Sequence, residues 1–318
     1  MTNDPNAPPG ATAAQIKDAF EFHRRGRHAE AEKICRAVLA RQPDHFEAAH
    51  LLGVVLLWRE EFYAAEEALR RAVAINPASA DAHLNLGATL RSLLRYEEAL
   101  ASFEAAIALQ PDFAEGIYGR GFALMDLKRF DEAIASFDAA IALNPNYAEA
   151  FNDRAITLVQ MHRIEEAIAN YDRAIAIDPA YVHAHNNRGV ALCTAERFEE
   201  AVASYNKTVA LNPFYAEAYF NRGIALTWWK RANDRRVSGD EAIARQNAKL
   251  LSDALESYDK ATGLRPDFAE AFNNRGDVLR EMGRIEEARA SYDRALALRP
   301  DFAEAKAGAA LCESTVIL

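Results

Sequence analysis

Few residues of this 318-residue chain could carry out chemistry, and their spacing does not suit catalysis. His183 and His185 are two positions apart, and helical side chains at that spacing do not face each other, so the pair is not expected to share a metal ion. The stretch Gly119-Arg120-Gly121 lacks the Gly-Lys-Ser/Thr of a phosphate-binding loop. We therefore expect no enzyme active site, no metal site and no cofactor.

The three cysteines, Cys35, Cys193 and Cys312, are far apart in the sequence and form no C-x-x-C pair. Neither a zinc site nor a disulfide framework is indicated. Free thiols suit a reducing compartment, so the sequence favours a cytoplasmic location.

Composition and charge restrict the classes of partner. Half of the residues are hydrophobic and 26% are charged, which is typical of a folded chain. The net charge of −10 argues against nucleic acid, which requires a surplus of Lys and Arg on the binding face. The longest apolar run, Ala48 to Trp58, is shorter than the roughly 20 residues needed to cross a bilayer. We expect a protein or peptide partner with apolar and basic residues, and no membrane association.

The elements that position these residues follow from a repeat. Prolines recur at a constant step of 34 residues, which widens to 53 once, between Pro213 and Pro266. The prolines of the series are Pro43, Pro77, Pro111, Pro145, Pro179, Pro213, Pro266 and Pro300. When each proline is counted as position 32, position 8 is small, positions 20 and 27 are mostly alanine, and position 24 is usually aromatic. The small residues allow two helices to approach closely, and we predict that the ring fills the remaining space.

This pattern resembles the signature of the tetratricopeptide (TPR) family, a helix-turn-helix repeat of 34 residues, over roughly residues 12 to 312. The resemblance implies an all-α, right-handed superhelical α-solenoid of antiparallel helix pairs. We expect about eight repeats and a C-terminal closing helix. The repeats start near 12, 46, 80, 114, 148, 182, 216 and 269, between a flexible tail at 1–11 and a closing helix and tail at 303–318.

Each proline ends a second helix, and the next first helix should start within about three residues. Asp or Asn often follows the proline, with Glu three positions later, and we predict N-caps at these polar residues. The predicted pairs are Asp44/Glu47, Asp112/Glu115, Asn146/Glu149, Asp267/Glu270 and Asp301/Glu304.

One stripe of the first helix, formed by positions 2, 5, 6, 9, 12 and 13, lies opposite the core positions. By resemblance to the TPR family, this stripe lines the concave groove where ligands bind. It is acidic at position 2 and contains amides, which are Asn85, Asn152, Asn186, Asn187, Asn221, Asn273 and Asn274. It also contains apolar residues, which are Tyr118, Phe122, Ile156, Val190, Phe220, Ile224 and Trp228.

These fourteen residues are the predicted partner-binding residues, because amides can bond to the backbone of an extended peptide while apolar and acidic groups select its side chains. The alternative interpretation is that the asparagines bond only to the neighbouring repeat and that the acidic residues complement the helix dipole. Arginines at position 7, such as Arg154 and Arg188, could form a cationic ladder or pair with acidic residues of the neighbouring repeat.

The seventh repeat is longer by 19 residues, placed at about 227–253. We predict that both of its helices extend on either side of Ser238-Gly239-Asp240 and project roughly 14 Å beyond their neighbours. The insertion is interpreted either as a contact site or as a solvent-exposed elongation.

The sequence thus favours a non-catalytic scaffold that binds an extended peptide or partner protein in a groove. The alternative is an accessory or substrate-recruiting subunit of a glycosyltransferase or other enzyme complex, since the asparagine-bearing repeats resemble the TPR superhelix of the O-linked N-acetylglucosamine transferases without its catalytic domain. We expect a monomer, although the apolar tail Val316-Ile317-Leu318 could mediate self-association.

Overall fold

The computed structural model describes residues 9–236 and 240–316, and these residues form helices joined by short turns. Each repeat contributes a helix A followed by a helix B. The A helices are α1 Pro9–Arg24, α3 Phe46–Trp58, α5 Ala80–Ser92, α7 Ala114–Asp126, α9 Ala148–Gln160, α11 Val182–Thr194, α13 Ala216–Arg236 and α15 Ala269–Glu281. The B helices are α2 His28–Arg41, α4 Phe62–Ile75, α6 Tyr96–Leu109, α8 Phe130–Leu143, α10 Ile164–Ile177, α12 Phe198–Leu211, α14 Glu241–Leu264 and α16 Ile285–Leu298. A last helix, α17, spans Ala303–Val316. The fold class predicted from the sequence, an all-α solenoid of paired helices, is confirmed.

The turn from helix A to helix B contains one residue with a left-handed backbone. In α5–α6 this residue is Leu94, with φ at 60°, and the amide of Arg95 donates a 2.9 Å hydrogen bond to the carbonyl of Leu90. This bond satisfies a carbonyl at the helix end and reverses the chain within three residues. Equivalent turns have positive φ at Gly26, Glu60, Lys128, His162, Glu196 and Gly283.

The predicted N-caps at Asp44, Asp112, Asn146 and Asp267 are wrong by one residue. The caps of α3, α7, α9 and α15 are His45, Phe113, Tyr147 and Phe268, and only His45 among them accepts a hydrogen bond through its side chain. The cause is a β-turn from helix B to the next helix A. In the turn after α6 the Phe113 amide donates to the Gln110 carbonyl, so Pro111 and Asp112 are its central residues. Phe302 likewise donates to the Arg299 carbonyl, which places Asp301 inside a turn.

The core is built from close approaches between helices A and B of a repeat. A Cβ added at Gly121 on α7 would lie 2.6 Å from the ring of Phe137 on α8, which is fully buried. Gly189 stands in the same relation to Tyr205, at 2.7 Å. The prediction that the ring at position 24 fills the space left by the small residue at position 8 is confirmed.

The chain divides into two compact units, residues 1–161 and residues 162–318. Within each unit, neighbouring A helices contact each other, as α5 does with α7 and α13 with α15. Over the described part of each unit, no B helix contacts the next B helix. The A helices therefore lie on the inner side of the bend of each unit.

The seventh repeat has the two longest helices of the described residues, α13 with 21 residues and α14 with 24. A polar network joins them beyond the usual length of a repeat. Asn233 donates to Asn247 at 3.0 Å, and Asn247 donates to Asp234 at 2.8 Å. Asn247 is buried, and Lys230 binds both Asp234 and Glu281 of α15. The two extended helices are therefore tied to each other, and Lys230 ties α13 to the following repeat. Ser238 and Gly239 of the insertion, and Ile317 and Leu318 of the tail, lie outside the described residues.

Candidate partner-binding site

The predicted stripe residues of the first unit are half-buried or buried, and their polar groups bond within the protein. The amide nitrogen of Asn85 lies 2.9 Å from Nε2 of His50, and the Tyr118 hydroxyl donates to Asp153 at 2.5 Å. Asn152 is 3% exposed and donates to the same carboxylate at 2.9 Å. Phe122 and Ile156 are half-buried, and the Arg91 guanidinium lies 4.1 Å from the centre of the Phe122 ring.

In the second unit, Val190 and Trp228 are the most exposed of the predicted residues, each at 42%. Asn186 is buried and accepts a long 3.5 Å hydrogen bond from Asn221. Phe220 packs on Phe268 with ring centres 4.6 Å apart. Ile224, Asn187 and Asn274 are half-buried, and Asn273 is buried.

These polar contacts share one register. In the pairs His50–Asn85, Tyr118–Asp153 and Asn186–Asn221, the first residue is at position 5 of a repeat and the second is at position 6 of the next. Each pair therefore crosses from one A helix to the next on the inner face. The side chains of these residues therefore bond between neighbouring repeats, as the alternative interpretation of the asparagines expects.

Two of the position-7 arginines, Arg188 and Arg275, bond to helices of the protein and are not free cations. Arg188 pairs with Asp172 on α10 at 2.6 Å and donates to Ser204 on α12 at 2.7 Å. Arg275 makes the same two contacts, with Asp259 at 2.6 Å and Ser291 at 2.5 Å. Each guanidinium thus links the preceding helix B to the helix B of its own repeat, as the second interpretation of these residues expects.

Four of the predicted residues meet at one cavity in the second unit, which we call the Trp228 cavity. It has a volume of about 290 Å³ and is bounded by α13, α14, α15 and the start of α17. The predicted residues in its lining are Ile224, Trp228, Asn273 and Asn274. Trp228 and Arg231 also border a second open cavity of about 790 Å³, beside Phe198 and the exposed Arg235.

The Trp228 cavity also contains three carboxylates that the sequence analysis did not select. Asp277 and Glu281 occupy positions 9 and 13 of the last repeat, and Glu304 occupies position 2 of α17. The positions were in the predicted stripe, but only their apolar and amide members were chosen. A change in the sequence could have revealed these carboxylates: positions 9 and 13 are Ile224 and Trp228 in the seventh repeat and two acidic residues in the next.

Asn273 has an unsatisfied acceptor in this cavity. The residue is 6% exposed, and its Nδ2 donates to Oδ1 of Asn274 at 3.2 Å. Its own Oδ1 is buried and has no hydrogen-bond partner among the described residues. An unpaired buried acceptor costs about 1–3 kcal/mol, so its retention calls for an explanation.

Comparison of the sequence with known families decides the class of the protein. Profiles of the TPR or tetratricopeptide repeat match residues 84–148, 136–169, 157–194, 193–227 and 269–302. This chain is a tetratricopeptide repeat protein. A further profile, described as anaphase-promoting complex, cyclosome, subunit 3, matches residues 24–106. No curated protein sequence matches the chain.

Solved TPR structures share its fold. The C-terminal part of a TPR repeat-containing protein from Cytophaga hutchinsonii matches with a TM-score of 0.62 and 15% identity, over 80% of this chain and 97% of that chain. The Cut9–Hcn1 hetero-tetramer of the APC/C matches with a TM-score of 0.59 and 16% identity, over 94% of this chain and 55% of that chain. PilF of Pseudomonas aeruginosa matches with a TM-score of 0.56 and 23% identity, over 64% of this chain and 93% of that chain. At these identities the likeness concerns the fold alone.

TPR proteins generally mediate protein–protein interactions and are generally non-catalytic. Burial raises the pKa of Cys35 to about 12 and that of Cys193 to about 11, so neither thiol is activated. Within residues 9–236 and 240–316, no cluster of three His, Cys, Asp or Glu residues could hold a metal ion. No helix in the same ranges is long and apolar enough to span a membrane.

Proposed function

We propose that this TPR protein is a non-catalytic scaffold that holds an extended segment of a partner protein against the inner face of its A helices. The observation that carries the proposal is the convergence of Ile224, Trp228, Asn273 and Asn274 on one cavity. Trp228 is 42% exposed there, and partly exposed tryptophans in a concave surface are frequent binding hot spots.

The chemistry of this face favours a partner segment with apolar and basic residues. The rings and aliphatic groups at positions 9 and 13 offer apolar contacts, as Val190 and Trp228 do. The carboxylates of Asp277 and Glu304 line the same cavity as Trp228 and favour a cation. The chain as a whole has a net charge of −10, which steers basic segments towards it.

Selection of peptides from a displayed library against the full chain tests this role. We expect enrichment of segments that combine apolar and basic residues, and Trp228→Ala should weaken the selected peptides about tenfold or more, as expected for a hot-spot residue. Phe214→Ala is the matched control, because this aromatic residue is 81% exposed and lies outside both cavities. Phe122 and Phe220 are poorer test residues, since each packs against its own neighbours.

Two outcomes would contradict the proposal. One is the absence of any enriched sequence. The other is equal peptide binding by Trp228→Ala and Phe214→Ala variants that are both folded by circular dichroism, because the peptides would then bind elsewhere.

A second candidate is an accessory or substrate-recruiting subunit of a larger enzyme complex. It is favoured by the extension of α13 and α14, which the Asn233–Asn247–Asp234 network holds in place, and by the open cavity of about 790 Å³ beside it. The match of residues 24–106 to a cyclosome subunit is in keeping with membership of an assembly. Deletion of residues 231–249 should then abolish co-purification with a catalytic chain, whereas a free peptide binder would lose no such partner.

A further inference from the structure

We infer that the Trp228 cavity is a receptor for a single arginine side chain of the partner segment. The inference rests on the proposed partner-binding role and adds to it the chemical group that the cavity recognises. It concerns the part of the molecule where the extended α13 faces α15 and the start of α17.

The cavity presents hydrogen-bond acceptors that lack donors. Asn273 lines the cavity, and its buried Oδ1 has no partner among the described residues, so this oxygen is available to accept a hydrogen bond from an N–H or O–H group. Asp277 accepts a 2.8 Å hydrogen bond from the Tyr292 hydroxyl and has further acceptor capacity. Glu304 is exposed at the rim. An amide oxygen and carboxylates at one cavity indicate a ligand that is rich in donors.

The charge of the lining favours a cation. Asp277, Glu281 and Glu304 provide three carboxylates, against the single guanidinium of Arg231. Glu281 is already bound by Lys230, whereas Asp277 and Glu304 interact with Arg280 and Arg299 only at longer range and make no close ion pair among the described residues. A positively charged ligand would compensate these two groups.

Arginine fits this arrangement better than lysine does. Its planar guanidinium carries five N–H donors and stacks on aromatic rings, so it can bond to acceptors from α15 and α17 while its face lies on an indole. Trp228 offers such a ring, since it is 42% exposed and makes a T-shaped contact with Phe198, with ring centres 6.3 Å apart, instead of a stacked one. The volume of about 290 Å³ is at the lower limit for small-molecule pockets and suits one long side chain.

Chain-specific features form this receptor. Lys230 fixes the extended α13 to α15 through Glu281, and Trp228 is the last stripe residue before that contact. The cavity therefore depends on the long seventh repeat. Trp58, an exposed indole at the same position of the second repeat, packs on His23 and His28, and positions 9 and 13 of the A helix that follows it are Ala88 and Ser92 instead of carboxylates.

The test is binding of N-acetyl-arginine amide to the full chain, followed by the NMR signal of the Trp228 indole N–H, which a Trp228→Phe variant assigns. N-acetyl-citrulline amide is the matched neutral probe, because it has nearly the same shape without the charge. We expect a saturable shift with arginine at a Kd of roughly 1 mM, the affinity expected of so small a ligand. Citrulline should bind at least tenfold more weakly.

Variants locate the site. Glu304→Gln should weaken arginine binding about three- to tenfold, whereas Glu256→Gln, an exposed carboxylate of α14 outside the cavity, should leave it unchanged. Equal binding of arginine and citrulline, or equal effects of these two variants, would overturn the inference.

Failure of the arginine receptor and failure of the scaffold role give different results. If selected peptides lose binding in Trp228→Ala but contain no arginine and are not displaced by N-acetyl-arginine amide, the receptor is wrong and the scaffold role stands. If the arginine probe binds but no peptide is selected, the receptor stands and the scaffold role is wrong.

Discussion

The hydroxyl of Tyr118 donates a 2.5 Å hydrogen bond to the carboxylate of Asp153 in the next repeat of the first unit. Asp153 is buried, and Asn152 donates to its other oxygen at 2.9 Å. Among the three contacts described above that join position 5 of one repeat to position 6 of the next, this is the one that contains a carboxylate. It places an ionisable group between two stacked A helices, where its charge state affects how firmly the repeats associate.

Stability should therefore depend on pH through Asp153. Burial raises the pKa of Asp153 above its ordinary value, although the bonds from Tyr118 and Asn152 oppose the rise. A carboxyl whose pKa is higher in the folded state binds its proton more tightly there, so stability falls as pH rises from the unfolded pKa through the folded one. Asp153→Asn should remove this fall, and its stability relative to the parent should increase between pH 4 and 7 in urea unfolding.

Tyr118→Phe provides the companion measurement for that prediction. Loss of the donated hydrogen bond removes a group that favours the charged carboxylate, so the fall in stability with pH should become steeper. A stability difference between parent and Asp153→Asn that stays constant over this pH range would show that Asp153 is not the group responsible.

The approach of helix A to helix B can be tested at Gly121. A Cβ there would lie 2.6 Å from the buried Phe137 ring, so Gly121→Ala should destabilise the protein by about 1–3 kcal/mol through overpacking. Gly263→Ala is the matched control, because nothing lies within 4 Å of its added Cβ and alanine favours the helix by about 0.5–1 kcal/mol. Opposite shifts of the thermal midpoint are expected, and a parallel shift of both variants would rule out the steric explanation.

The sequence predicted the fold well because seven well-formed copies of the repeat keep the same internal register. The proline step, the small residues at position 8 and the rings at position 24 report on contacts within one repeat, as Gly121 and Phe137 show. The predicted N-caps were misplaced because a residue such as Asp112 suits both an N-cap and the centre of a β-turn. The hydrogen bond from the Phe113 amide to the Gln110 carbonyl identifies the β-turn, and this bond is not visible in the sequence.

The candidate site was harder to predict because a stripe position does not fix the partner of a side chain. Asn221 and Asn274 share position 6, yet Asn221 bonds to the neighbouring Asn186 whereas Asn274 lines a cavity. The cavity depends on the length of α13 and on the start of α17, which belong to different repeats. A pattern of period 34 carries no information about features that occur once.

The left-handed turns offer a stabilising substitution. Leu94 has φ at 60° and is 71% exposed, so its side chain strains the backbone and contributes little burial. The left-handed conformation costs a residue with a Cβ about 1–2 kcal/mol. Glycine avoids this cost, but the greater conformational entropy of glycine in the unfolded state offsets part of the gain in stability. Leu94→Gly should raise the free energy of unfolding by about 0.5–1 kcal/mol. Ala101→Gly, on the exposed face of α6, should lower it by a similar amount, and a loss of stability in both would refute the assigned strain.

Stability and binding should separate at Asn273. Asn273→Leu removes the buried unsatisfied Oδ1 with a side chain of similar size, but it also removes the 3.2 Å bond from Nδ2 to Asn274. The two effects oppose each other, so the free energy of unfolding should change by less than about 1 kcal/mol. Asn247→Leu is the contrasting variant, because Asn247 both accepts from Asn233 and donates to Asp234. Its replacement leaves those partners unpaired and should cost about 1–3 kcal/mol.

The same two variants have opposite expected effects on ligand binding. Asn273→Leu should abolish the shift of the Trp228 indole signal by N-acetyl-arginine amide, because the lining of the cavity loses an acceptor that has no partner within the described residues. Asn247→Leu, measured where it remains folded, should retain most of that shift, since Asn247 does not line the cavity. A stable Asn273→Leu variant that still binds the probe would mean that the unpaired oxygen has no role in recognition, whereas a stable variant without binding would explain why the chain keeps it.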